Sequence, residues 1–444
     1  YIEESDDARR QMQSFFAMAQ LGYKESLYLD VTARNDWSST LAFTERKSRG
    51  FFYPSVGLSW IIPKSFSMPS LISFGKVRAS WSKVGNDIPL FVSNTVGHIA
   101  AGGIPQPNDT APFGTLKPEM SSSFEIGTEW KFFDYRMDVD LTFYKTNTKN
   151  QLFSLPSSAG AAYKYYFVNA GNIQNMGVEL TLGAVPILTN QFKWNTTLNF
   201  SRNKNEVKKL HDDLASFIQG DEGFSSSYTM RLVEGGSFGD IYGKAFERDK
   251  YGAIVYGRDG LPQEIGSGNT AKVGNCNPAF LLGWGNSFTY KDFSFYFLID
   301  GHFGGDVLAQ TQAVLDQTGV SKVSGETRTM GYVDLEGHHI YNIKGFYEQV
   351  GGRNGVTEYY MYDATNIRLR ELSLGYTLPK RLLGRKQFVK KAELSFVARN
   401  LFFIYKKAPF DPDAVLSASN SNQGIDIFGI PTTRSVGFNV KLSF

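Results

Sequence analysis

Cysteine is almost missing: Cys276 stands alone among 444 residues, which excludes an internal disulfide framework and a thiolate metal cluster. No run approaches 18 consecutive apolar residues, so the sequence holds no candidate membrane-spanning helix. An excess of one charge sign is missing too. Forty-six basic and 43 acidic residues leave a net charge of +3, and no basic run is interleaved with aromatics, so nothing points to a nucleic-acid partner. Histidines number five, His98, His211, His302 and the adjacent pair His338 and His339. Neighbours on a strand point to opposite faces, which makes the pair a poor chelate. No Ser-His-Asp or Cys-His signature is recognisable, so no enzyme, no metal and no cofactor is expected. "GGRNG" at 351–355 lacks the strand-to-helix setting of a phosphate cradle, and "DPDAVLSASNSNQGID" at 411–426 lacks the spacing of a calcium loop. The opening "YIEESDDARRQMQ" carries no signal-peptide pattern and reads as a truncation.

What is abundant is aromatic. Phe and Tyr number 36 and 23, and aromatics make up 15% of the chain, yet the mean hydropathy is only −0.26. Both hold if apolar residues occupy one face of many strands whose other face is wet. The last ten residues, "SVGFNVKLSF", alternate without a fault: Val436, Phe438, Val440, Leu442 and Phe444 against Gly437, Asn439, Lys441 and Ser443. Such alternation is the signature of a two-faced strand. It recurs in "FFYPSVGLSWII", in "MDVDLTF", in "FKWNTTLNFSRN" and in "FSFYFLIDGHF". A strand buried on both sides would not carry Asp30, Arg34, Lys76, Arg78, Asp138, Asp140, Lys193 and Arg399 on its second face.

About fifteen strands can be placed, roughly at 8–24, 26–41, 50–62, 73–86, 120–133, 136–154, 172–186, 191–207, 226–234, 237–249, 278–290, 293–306, 365–379, 390–405 and 432–444. Tight connections fall at Lys24-Glu25, Phe133–Tyr135, Pro186–Gln191, Gly235-Gly236 and Lys291-Asp292. Long ones span 87–119, 155–171, 208–225, 250–277, 307–364 and 406–431. Short turns at one end and long loops at the other are what a transmembrane antiparallel β-barrel requires. Tyr23, Trp60, Trp130, Trp194, Tyr290 and Phe293 all lie near the short-turn end, where an aromatic girdle at the membrane interface belongs. Fifteen strands cannot close antiparallel, so an odd number is expected upstream. A soluble β-propeller enzyme acting on glycans would need repeats of about 40–45 residues, and no such period exists.

The segments "SLYLDVTARNDWSS", "FGKVRASWSKVGND", "FVNAGNIQNMGVELTLGAVPI", "GGSFGDIYGKAFERDKYG", "NCNPAFLLGWGNSFTYKDFSFYFLIDGHFGGDV", "YDATNIRLRELSLGYTLPKRLL" and "ARNLFFIY" together make the chain resemble the C-terminal barrel portion of the SusC/RagA-like TonB-dependent outer-membrane transporters of Bacteroidetes. The resemblance implies that residues 1–444 are one part of a 22-stranded barrel, seven strands being upstream along with a plug and a TonB-contacting segment. It implies active import of oligosaccharides or peptides across the outer membrane, with a SusD-like surface lipoprotein over the loops and TonB as the energy source. It also implies that Phe438, Val440, Leu442 and Phe444 form the C-terminal signal for barrel assembly. The alternative is a passive porin or a surface adhesin barrel.

Within the longest loop, "VLAQTQAVLDQTG" reads as a short helix, and Tyr332, Tyr341 and Phe346 are the candidate cargo-binding side chains, either stacking on sugars, holding peptides or docking against a lid protein.

Overall fold

The computed structural model describes residues 9–44, 50–90, 92–93, 97–100, 102–106, 108–111, 116–156, 160–211, 216–219, 227–265, 270–383, 388–416 and 422–444. Thirteen long strands carry the two-faced pattern: β1 (Met12–Tyr23), β2 (Leu27–Ser38), β3 (Gly50–Ile61), β4 (Ile72–Asn86), β5 (Glu119–Phe132), β6 (Met137–Pro156), β7 (Tyr165–Leu188), β8 (Phe192–Lys209), β9 (Phe280–Tyr290), β10 (Phe293–Phe303), β11 (Asn366–Thr377), β12 (Lys391–Lys406) and β13 (Ser435–Ser443). They build a large antiparallel sheet in which sequence neighbours pair. The fold is all-β, as expected of a barrel wall. Most strands exceed the ~9–11 residues that cross a bilayer at a tilt, and β7 has 24.

The chain divides into two compact units, 1–179 with 204–215, and 180–203 with 216–444. In the first, Leu29 faces Leu58 and Val31 faces Val56, while Ile126 lies between Ala79 and Phe143. These side chains form the apolar face. On the other face Arg78 reaches across β5 to Asp140 at 2.9 and 3.1 Å and to the Thr142 hydroxyl at 2.6 Å. Gly127 makes that crossing possible, because a Cβ there would stand 2.8 Å from the guanidinium carbon. Of the other wet-face residues, Asp30 accepts from Gln20 at 2.7 Å, Arg34 pairs with Asp36 at 2.7 Å and, in the second unit, Arg399 with Glu371 at 3.1 Å. At the loop end of the first unit Leu41, Phe51, Ile88, Val92 and Leu116 close a small apolar cluster. The buried Asp87 ties it together by accepting from the Ser38 and Thr40 hydroxyls and pairing with Arg10 at 2.9 Å.

Three tight turns take the left-handed backbone: Lys24 and Glu25, Phe133 to Tyr135, and Lys291 all have φ between 49° and 63°. The β9–β10 loop has two residues, and a short hairpin loop with left-handed residues matches strand twist. Further connections at the same end are 189–191, 62–71 and 378–390, while 39–49, 87–118, 157–164, 210–279, 304–365 and 407–434 lie at the opposite ends of their strands.

Two of the fifteen expected wall strands are not in the wall. The segments expected at 226–234 and 237–249 contain only Tyr228–Val233 and Asp240–Gly243, which join Ser216–Gln219 and Ala271–Asn275 in a separate four-stranded sheet. Six and four residues are too short to cross a bilayer. Tyr228, Met230 and Leu232 alternate correctly, but they point into a protein core rather than toward lipid. The turn at Gly235-Gly236 is therefore internal to one loop spanning 210–279. The expected loop at 155–171 shrinks to 157–164, because β6 and β7 run on past the apolar band.

Both outermost strands have one partner only. β1 pairs with β2 in the first unit and β13 with β12 in the second, so each leaves an unpaired edge among the described residues.

Candidate functional site

In the second unit the loops after β8, β10 and β12 fold into one assembly. Asp306–Ala309 lies between Met361–Asp363, antiparallel, and Ile425–Asp426, parallel. Three helices follow: α1 (Gln310–Gln317), α2 (Lys322–Met330) and α3 (Ile343–Val350). The expected helix in "VLAQTQAVLDQTG" is α1. Ser321 caps α2 and Asn342 caps α3, each side-chain oxygen accepting from the N–H three residues on, which satisfies an otherwise orphaned donor. Gly331 ends α2 at φ 84°.

The assembly has a core of its own. Tyr228, Met230, Ile241, Leu308, Val333, Ile340, Phe346, Val350, Tyr360 and Ile425 are all buried in one apolar cluster. Polar ties close it. Asp316 of α1 accepts from the Ser321 hydroxyl, from the Tyr360 hydroxyl at 3.0 Å and from Gln312 at 2.7 Å. Burial raises the Asp316 carboxyl above its ordinary range and pushes the Tyr359 and Tyr360 phenols far up. Arg248 forks onto Glu336 at 2.8 Å and Glu358 at 2.8 Å, holding the hairpin Val333–Leu335/His338–Ile340 against the rest. Those hydrogen bonds and the adjacent charge keep Glu336 below the usual carboxylate range. The Cys276 thiol is pushed up to about 11 by burial, which makes it inert as a nucleophile.

The candidate residues separate here. Tyr332 and Tyr341 meet: Tyr332 stacks on His339 at 4.0 Å between ring centroids and meets Tyr341 edge-on at 6.4 Å. Tyr341 is 75% exposed. Phe346 is not with them. It faces inward from α3, fully buried between Tyr347 and Tyr359 at 5.3 and 5.2 Å, so it cannot touch cargo. The i to i+4 spacing from Asn342, at the helix cap, puts Phe346 one turn into α3 on its core side. His338 and His339 point to opposite sides of the hairpin, His338 against Tyr256 at 4.0 Å.

Beside Tyr341 lies an open cleft of about 510 Å³, lined by Asp316, Gln317, Arg328, Asn342, Lys344 and Glu348. Sequence reasoning missed these polar residues, because nothing in their spacing marks a cleft assembled from three separate helices. An exposed aromatic beside amide, cationic and carboxylate groups can stack on a flat face and hydrogen-bond its rim. Among the described residues no cluster of His, Cys, Asp and Glu could hold a metal ion.

On the wall, Tyr23, Trp60, Trp130, Trp194, Tyr290 and Phe293 each lie within three residues of the short-turn end of their strand. The Trp130 ring covers Gly75, where a Cβ would come within 2.6 Å of it. Phe438, Val440, Leu442 and Phe444 are exposed on the apolar face of the last segment. There Phe438 meets Phe396 edge-on at 5.7 Å, and Phe444 packs against Phe388 at 5.1 Å.

Residues 3–401 match the family model described as TonB dependent receptor-like, beta-barrel. TonB-dependent receptor P3 of Formosa agariphila is 26% identical over 99% of this chain and 46% of its own length. TonB-dependent receptor SusC of Bacteroides thetaiotaomicron is 22% identical over 100% of this chain and 46% of its own length. The RagAB peptide importer in its open-open state superimposes with a TM-score of 0.77 at 18% identity, over 98% of this chain and 47% of that one. The chain thus spans about half the length of the curated relatives it matches.

Proposed function

The chain belongs to the TonB dependent receptor-like β-barrel family of the outer membrane, and from that premise we propose that it is the C-terminal barrel part of an active importer of oligosaccharides or peptides. The observation that carries the proposal is the pairing of a two-faced wall with a compact loop assembly at the end away from the tight turns. The apolar face meets lipid and the wet face, lined by pairs such as Arg78–Asp140, meets the lumen. The two unpaired strand edges are filled by further strands of the same barrel, and a plug outside residues 1–444 receives the pull of TonB. A SusD-like surface lipoprotein covers the loop assembly and hands over cargo, and the cleft beside Tyr332 and Tyr341 contacts one or the other. The residues of the wall themselves do no covalent chemistry. They exclude lipid, hold a hydrated path and keep the loops in register.

Extraction of the native protein from outer membranes in mild detergent tests the reading. Co-purification with a surface lipoprotein, and uptake that stops when the proton gradient is collapsed, are expected. A barrel that purifies without a lipoprotein and admits solutes with the gradient collapsed is the passive porin, and would overturn the proposal.

The six interfacial aromatics serve as the girdle at the inner leaflet, and β13 with Phe444 just after it as the assembly signal. Replacing Phe444 by serine is therefore expected to lower the abundance of the protein in outer membranes severalfold at unchanged synthesis, read by quantitative immunoblotting of membrane fractions. Normal abundance would remove the signal role from Phe444.

A further inference from the structure

We propose that the outer face of β9 to β13 holds a site for one anionic diacyl phospholipid, its acyl chains in an aromatic groove and its phosphate against basic groups at the short-turn end. The inference rests on the reading of this sheet as a membrane wall.

Register builds the groove. Phe288, Phe295, Leu374, Phe396 and Phe438 face one another in a single row across five strands. One step nearer the turns, Tyr290, Phe293, Tyr376, Leu394 and Val440 form a second row. Where Leu374 and Leu394 interrupt the rings, the surface dips between aromatic walls into a groove of about 470 Å³. That lies within the ~300–1,000 Å³ of ligand clefts. Trp194 stacks on Phe288 at 5.7 Å, and Phe293 packs tilted against Tyr376 at 4.7 Å, so rings brace the walls. An aliphatic chain fits a trough of this kind. A flat polar ligand does not.

The mouth of the groove is basic. Lys291, in the β9–β10 turn, holds its ammonium 5.3 Å from the Tyr290 ring centre. Lys380 and Arg381 stand exposed in the turn after β11, with no carboxylate within 4 Å among the described residues. Lys390 donates to the Phe444 carbonyl oxygen at 3.2 Å, and Lys391 is held by Glu393 at 3.5 Å. Asp292 and Glu393 are the nearby acidic residues of this end, and among the described residues neither pairs with Lys380 or Arg381. Tight turns mark the periplasmic side of such barrels, the side at which a phospholipid headgroup meets the wall. Cations placed there favour an anionic headgroup over a zwitterionic one.

The test uses the purified protein in phosphatidylcholine vesicles doped with lipid carrying dibrominated acyl chains, which quench tryptophan on contact. Trp194 is the reporter nearest the groove. Dibrominated phosphatidylglycerol is expected to quench at roughly five- to tenfold lower mole fraction than dibrominated phosphatidylcholine for the saturable part of the signal. The double variant Lys380→Ala, Arg381→Ala, on the exposed surface, is expected to abolish that preference while melting unchanged. Native mass spectrometry should show one retained phosphatidylglycerol that the variant loses. Equal quenching by both lipids, a preference unmoved in the variant, or a dimer that covers this face without lipid would each overturn the site. Absence of quenching by either lipid would instead overturn the wall reading itself, so the two failures are distinguishable.

Discussion

Replacing Arg368 by alanine is expected to free the 407–434 loop from the barrel mouth. Arg368 is only 2% exposed. It pairs with Asp413, lies 3.6 Å from Asp411, and sits 4.5 Å from the centre of the Phe403 ring. Among the described residues its Nε and Nη1 atoms have no hydrogen-bond partner, so the guanidinium is held by two carboxylates, the Asn366 amide oxygen at 3.4 Å and a ring rather than by a full set of acceptors. Removing it leaves Asp411 buried without its countercharge, a change that costs about 3–5 kcal/mol. An opening equilibrium shifted by about 3 kcal/mol raises the open population more than a hundredfold, and cleavage that follows that population rises with it. Limited trypsin digestion should therefore cut at Lys406 and Lys407 far faster in the variant. Lysine at 368 is expected to rescue only in part, since it lacks the planar fork. Unchanged cutting in the alanine variant would show that Arg368 does not anchor the loop. Acid acts on the same joint. Although burial alone would raise it, Asp411 is held below its ordinary value by hydrogen bonds from Thr432 and Asp413 and by the Arg368 charge. A depressed carboxyl contributes its stability above the unfolded pKa of about 3.9 and loses it as pH falls through the folded value, so the loop should open only in strong acid.

Phe346 supplies the second large effect. Truncation to alanine leaves a cavity at the centre of the loop assembly and is expected to cost about 3–5 kcal/mol. Amide hydrogen exchange should accelerate across α1, α3 and Met361–Asp363, while the strands of the wall keep their protection. Tyr341→Ala makes the contrast. Tyr341 is a surface residue away from the core, so stability should change by less than about 0.5 kcal/mol, while cargo uptake falls. If Phe346→Ala instead lost uptake with its exchange pattern intact, the side chain would have to move outward in the working protein.

The wall was legible in the residues because a period of two is a strong signal when one face is lipid and the other water. "MDVDLTF" and "SVGFNVKLSF" alternate within long two-faced strands, and the tight turns at Lys24-Glu25 and Lys291-Asp292 follow from the break between alternating runs. The same signal misled at "YTMRLV". A strand whose apolar face enters a small protein core alternates just as well as one whose apolar face meets acyl chains, and only length separates them. The candidate site was half legible. Tyr332 and Tyr341 belong to one surface group, whereas Phe346 required knowing that Asn342 caps a helix and so which side of the next turn faces inward. The cleft residues Gln317, Arg328 and Lys344 could not be found at all, because three helices bring them together and no local spacing records it.

The loop assembly draws its core from Tyr228 to Ile427, whereas each wall strand pairs with a sequence neighbour. This difference sets an order of events. Hairpins such as β9–β10, joined by two residues, close over short loops and form early, while a core whose contributors lie some 200 residues apart must await the last of them. The parallel pairing of Leu308 with Ile425 cannot form until the 407–434 loop has been laid across the mouth. The loop assembly is thus the last part to mature, and a half-assembled chain would have a finished wall and unfinished loops.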